Sequence, residues 1–170
     1  MDKHGEEFVI SRVFNAPREL VFDAWTKIEH LNSWFAPKGF DILGGTLELK
    51  VGGIYHYGLR TPDGVEMWGK WTFVEIKRPE KLQVIQSFSD RDGGITVHPG
   101  SPDWPKQTLS TTTFEQQDAR TLMTLRWAPY QASAVEIRTF IEGMASMEQG
   151  WGGTMELLET YLASVTGKGR

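Results

Sequence analysis

The residues of this chain that could carry chemistry are few and scattered. Asp90, Asp92, His98 and Asp103 fall in one loop and offer the oxygen and nitrogen atoms that a divalent cation takes. Polar loop residues are ordinarily just hydrated, so this spacing assigns no metal. His30 falls on a short predicted helix and His56 on the outward face of a strand, where surface roles are the default. Asp63 and Glu66 flank a turn and read as solvated. There is no Gly-x-Ser-x-Gly elbow, His-Glu-x-x-His, phosphate loop or dinucleotide fingerprint after a strand. Cysteine is absent, which removes thiolate catalysis, disulfides and zinc–thiolate sites. The pattern assigns no catalytic residue and no cofactor.

Aromatic surface, in contrast, is plentiful: seven Trp and nine Phe in 170 residues. Strand and helix periodicities put Tyr55, Tyr57, Trp71, Phe73, Phe88, Trp127, Met144, Met147 and Trp151 on inward faces. They are the candidate wall of a cavity for a small hydrophobic or amphipathic ligand, since such pockets are concave and mostly apolar. Methionine suits this role because it fills irregular space adaptably. Gln86 is the clearest polar residue placed inside, and it does not titrate.

These residues need a sheet and a long helix to hold them. From Ala132 to Leu162 apolar residues recur in steps of three and four: Ile137, Phe140, Ile141, Met144, Met147, Trp151, Met155, Leu158 and Leu162. That spacing predicts one continuous amphipathic helix, with Trp151 as a core residue of its stripe. Gly143, Gly150, Gly152 and Gly153 each cost about 1 kcal/mol there relative to Ala. They imply either close packing of the sheet beside Trp151 or a bend that opens space beneath Met144 and Met147.

Before Tyr130 the chain reads mainly as strands. Glu7 to Phe14 predicts the first strand, followed by a short helix that Asn15 can cap. Thr26 with Glu29 fits a capping box for a second short helix ending before Pro37. From Phe40 the period is two, placing Leu47, Leu49 and Val51 on one face, with a hairpin turn at Gly52-Gly53. Tyr55, Tyr57 and Leu59 continue the inner face, with His56 and Arg60 outside. Further strands are predicted over Met67–Ile76, Lys81–Ser89, Thr108–Glu115 and Thr121–Trp127. Their short connections imply an antiparallel sheet with one apolar face, hence a segregated α+β arrangement. Asp90 to Lys106 is a long loop without predicted structure, carrying His98 and Trp104. It reads as a surface excursion or as a lid over one end of the cavity.

Length predicts a single domain over 1–170 with its core at about 8–162. Eighteen basic against twenty-two acidic residues, without a basic cluster, argue against nucleic acid. No apolar run approaches a membrane span and Met1 to Glu7 is polar, so the expected location is the cytoplasm and the expected partner is not a membrane. A formal charge of −4 neither supports nor opposes a homodimer or a chaperone partner.

In order along the chain stand Ala16-Pro-Arg-Glu-Leu-Val-Phe-Asp-Ala-Trp25, Trp34-Phe35-Ala-Pro37, Val51-Gly-Gly53, Trp68-Gly69, Pro79-Glu-Lys-Leu82 and Gly150-Trp151 with Leu158 and Leu162. This series resembles the START-like or Bet v 1-like (SRPBCC) superfamily, in its bacterial branch similar to the C-terminal domain of the Hsp90 ATPase activator Aha1. Ser87-Phe-Ser-Asp90, His98-Pro99 and Ser101-Pro-Asp-Trp-Pro105 resemble a bacterial subgroup. The resemblance implies a helix-grip fold, with a curved antiparallel sheet around the C-terminal helix and two short helices closing one end. It also implies a hydrophobic cavity between them. Relatives include binders, carriers, cyclases and co-chaperones, so it does not select an activity. Non-enzymatic ligand binding is the leading expectation. A cyclase- or hydratase-type enzyme and an Hsp90-related interaction domain are the alternatives.

Overall fold

A computed structural model describes residues 7–36, 39–98 and 100–167. The first strand, β1 (Phe8–Phe14), is followed by helices α1 (Arg18–Thr26) and α2 (Ile28–Trp34). Then come β2 (Asp41–Leu47), β3 (Ile54–Arg60), β4 (Glu66–Lys77), β5 (Lys81–Ser89), the two-residue β6 (Ile95–Thr96), β7 (Thr108–Gln117) and β8 (Arg120–Pro129). Helices α3 (Ala134–Glu142) and α4 (Met144–Thr166) close the chain. The sheet is antiparallel with order β1-β8-β7-β5-β4-β3-β2, and β6 pairs with β5. β1 and β2 are opposite edges, so α1 and α2 carry the chain from one edge to the other. This is the α+β helix-grip arrangement that the sequence predicts.

Alternation fixes which face is apolar, because successive strand residues point to opposite sides. Phe14, Phe73, Leu82, Val84, Phe114, Met123 and Leu125 are buried, together with Val21, Phe22 and Trp25 of α1 and Met155, Leu158 and Leu162 of α4. A second, smaller cluster of Phe8, Phe140 and Met147 lies at the other end, and Trp151 packs against both. Between these clusters the helix does not close fully on the sheet.

Several local expectations are corrected. Asn15 does not cap α1; its N-cap is Pro17, with no side-chain hydrogen bond. Thr26 and Glu29 form no capping box, because the Thr26 hydroxyl is buried and donates back to the Phe22 carbonyl at 3.1 Å. The capping box that does form joins Ser133 and Glu136 at the start of α3. Leu49 and Val51 are 42% and 67% exposed, since β2 ends at Leu47 and they belong to the turn into β3. In that turn a Cβ on Gly53 would strike the Glu48 carbonyl, so glycine is required by close approach. The expected stop of the second helix at Pro37 lies outside the described residues, as does Pro99 of the long loop. The helix itself ends at Trp34.

The predicted continuous C-terminal helix is two helices. Gly143 adopts φ −89° and ψ 0° at the break. Close packing does not explain the remaining helix glycines: a Cβ on Gly150, Gly152 or Gly153 would meet nothing within 4 Å. The bend falls at Gly143 alone. Ile141, assigned to the apolar stripe, is 41% exposed.

Candidate functional site

The space left between the two clusters is a cavity of about 620 Å³. The β3–β5 part of its wall includes Tyr57, Leu59, Met67, Gln86 and Phe88, continued by Thr108 of β7 and Trp127 of β8. α4 supplies Met147, Gly150, Trp151 and Thr154; Phe35 stands at the end of α2. His98, Trp104 and Pro105 of the long loop complete it.

Of the nine residues expected on this wall, Tyr57, Phe88, Trp127, Met147 and Trp151 line the cavity. Tyr55, Trp71, Phe73 and Met144 do not. Tyr55 is buried behind Tyr57, the two rings stacked at 4.9 Å, and Trp71 meets Tyr55 edge-on at 5.0 Å. Phe73 lies deeper in the core at 1% exposure. Met144 packs on the Phe8–Phe140–Met147 cluster, just past the helix break. Period-two alternation selects the correct face, but it does not distinguish the layer that touches open space from the layer beneath it.

Glycine makes room where the sheet wall is thinnest. A Cβ on Gly69 would come within 2.6 Å of the Tyr57 hydroxyl oxygen, so the Tyr57 ring lies across the bare backbone of β4. Gly143 does the same from the helix side, providing the seat for Trp104, whose ring would be 3.3 Å from an added Cβ. Trp104 also packs on Trp127 and Phe140, with centroids 6.0 and 5.5 Å apart. Both ends of the long loop are tied down. At its start, Asp90 accepts backbone N–H groups of Asp92 and Gly94 through one carboxylate oxygen, each at 2.9 Å. At its end, Lys106 meets Glu136 at 3.2 Å. β6 and a bridge between His98 and Ser101 give this loop more structure than the sequence predicts.

Asp90 is thus committed to a turn, and the N–H of Gly94 foremost holds its carboxyl below the usual range. Among the described residues no three His, Cys, Asp or Glu side chains gather in a way that could hold a metal ion. Glu66, expected to be merely solvated, accepts from Arg91 at 2.6 Å and from the Trp68 indole at 3.2 Å, and these bonds, Arg91's first, hold its pKa low. His56 stacks on Trp68 at 5.1 Å on the outer face.

Among the described residues the cavity lining holds no Asp, Glu, Lys or Arg side chain. Burial pushes the Tyr57 phenol up to about 12, and burial raises Tyr55 as well, so both stay neutral at physiological pH. The Trp71 indole pulls Tyr57 the other way, but its N–H lies outside hydrogen-bond geometry and is buried without a partner. Trp127 has the same unmet donor. His98 Nδ1 accepts the N–H of Gly100 at 2.9 Å, which leaves Nε2–H as the donor of this ring.

The model of the "Activator of Hsp90 ATPase homolog 1-like protein" family matches residues 15–163. The chain belongs to this family. Solved structures agree on the fold of this family member. One from Arthrobacter aurescens is 26% identical, with TM-score 0.76 over 96% of this chain and 90% of that one. A Mycobacterium smegmatis protein is 22% identical with TM-score 0.74, covering 95% and 93%. One from Nitrosomonas europaea is 20% identical, also at 0.74, covering 99% and 100%. No curated protein matches.

Sequence reasoning missed Phe35, Leu59, Met67, Thr108 and Thr154 as wall residues, and it placed His98 and Trp104 only in a loop. A sequence signal for the last two exists: an aromatic and a histidine in a long loop that can act as a lid. Nothing in the sequence separates Leu59 or Met67 from ordinary core.

Proposed function

We propose that this protein binds a small hydrophobic or amphipathic molecule in the cavity between sheet and C-terminal helix, without performing chemistry on it. One observation carries the reading: a 620 Å³ space, walled mainly by aromatic and aliphatic side chains and without Asp, Glu, Lys or Arg among its described residues. Its size falls in the range of about 300–1,000 Å³ typical of small-molecule pockets. Family membership is consistent with this reading but names no ligand. Fluorescence titration with diphenylhexatriene, alongside calorimetry with neutral naphthalene derivatives, tests it. Saturable one-to-one binding is expected. If every apolar probe fails to bind, the reading is wrong.

Catalysis of cyclase or hydratase type gains one feature, His98 in the wall. The lone pair a general base would use is on Nδ1 and is occupied by Gly100 N–H, and no carboxylate lines the cavity among the described residues. His98 therefore serves better as a donor than as a base. The family description supports a further reading, a role with Hsp90 ATPase; stimulation of that ATPase by added protein is the corresponding assay.

A further inference from the structure

We propose that the ligand is a neutral molecule bearing a carbonyl-type oxygen, and that this oxygen seats on the Thr108–Gln86 strip of the cavity wall. The proposal rests on the binding reading above and narrows it to a chemical class. Thr108 and Gln86 are direct cross-strand partners on β7 and β5, and Gln86 is in turn opposite Trp71 on β4. The three side chains therefore form one rung across the sheet. Thr108 and Gln86 line the cavity, and neither side chain hydrogen-bonds within the described protein, although Thr108 is only 4% exposed. Trp71 at the end of the rung keeps a buried indole N–H without an acceptor, as Trp127 does on the adjoining wall.

The balance of polar groups decides what fits. Of the lining groups, Gln86 offers two amide N–H bonds and a carbonyl, Thr108 a hydroxyl that both donates and accepts, and His98 an imidazole N–H, while the buried indoles of Trp71 and Trp127 are out of a ligand's reach. Four donor hydrogens thus meet two acceptor atoms on these three side chains, so the missing partner is an acceptor. A carboxylate would satisfy them but would enter a cavity with no cation among its described lining residues, and an uncompensated charge is strongly disfavoured there. A pure hydrocarbon fills the volume but leaves Thr108 and Gln86 stripped of water and unpaired. A ketone, ester or quinone oxygen on a flat apolar body meets both conditions, with Tyr57, Phe88 and Trp151 available to flank the body.

Three probes of one skeleton separate the possibilities: acetylnaphthalene, ethylnaphthalene and naphthoate, titrated calorimetrically into the full chain. The ketone should bind at least about tenfold tighter than the hydrocarbon, roughly the share of one good hydrogen bond. Naphthoate should bind no better than the hydrocarbon. Gln86→Leu should erase the ketone's advantage while ethylnaphthalene binds as well or better. Thr108→Val, nearly isosteric, provides the same readout should Gln86→Leu not fold. Equal affinity of ketone and hydrocarbon, or tightest binding by naphthoate, overturns the acceptor seat and leaves the binding reading standing. Unchanged selectivity in a folded variant likewise overturns the seat, and no binding by any probe removes both proposals.

Discussion

Trp151 packs against both core clusters and also lines the cavity, two roles that the sequence leaves open for it. The stripe puts it on the apolar side of the helix, and it is there, 5.8 Å from Trp127 and 6.3 Å from Trp25. As a filled-core residue it would cost about 3–5 kcal/mol on truncation to Ala. It is instead half-buried and faces the cavity, so less packing is lost. Trp151→Ala should therefore cost less than about 3 kcal/mol in urea melts and should weaken ligand binding more than stability. Asp23 makes a different residue-scale prediction. Arg78 holds it by two hydrogen bonds of 2.9 and 3.0 Å, joining the β4–β5 turn to α1, and those bonds foremost lower its pKa below 3.8. A depressed carboxyl contributes stability that is present above its unfolded pKa and is lost as pH falls through the folded one. Arg78 is half exposed, so the pair contributes no more than about 1 kcal/mol. Asp23→Asn should cost that much at neutral pH and nothing once pH is well below 3.8, read from melting midpoints across pH.

At the scale of elements, the sequence was most legible where periodicity is long. β4, β5, β7 and β8 lie close to their predicted spans because alternation over nine or more residues has one solution. The small pieces were misread because several local solutions compete. Thr26 could cap forward or bond backward, and burial beneath α1 favours the backward bond to Phe22. The helix glycines were ambiguous for a related reason: glycine marks a close approach, a bend or open space, and sequence does not separate these. Here Gly143 marks both the bend and the close approach of Trp104, while Gly150, Gly152 and Gly153 face open space, and the energetic consequences differ. Gly153 is exposed with nothing near an added Cβ, so Gly153→Ala should stabilise the protein by about 1 kcal/mol. Gly143 sits at the break and not in a helix interior, so Gly143→Ala gains less helix propensity and also crowds the Trp104 ring. Its denaturation midpoint should not rise with that of Gly153→Ala. An equal rise in both variants would show that Trp104 has no seat at the break.

For the molecule as a whole, the fold is a compromise between burying a helix and leaving space beneath it. The two clusters bury enough at either end to hold α4, and the region between them remains under-packed. An unfilled apolar cavity gives up dispersion contacts along its lining, so an occupant restores contacts that folding alone does not make. Ligand and stability are then coupled by mass action: at a free concentration of 100 Kd the folded state gains about 2.7 kcal/mol. For a chain of this length that corresponds to a rise in Tm of roughly 5–11 °C. Gly150 lets this coupling be tested without damaging the wall. It borders the cavity and an added Cβ meets nothing within 4 Å, so Gly150→Leu places an isobutyl group in the empty volume. The variant should melt at or above the wild-type temperature without ligand and should lose most of the rise that acetylnaphthalene gives the wild type. If it melts lower and still responds fully to ligand, the occupied space lies elsewhere, and the cavity beneath Trp151 is only a packing defect.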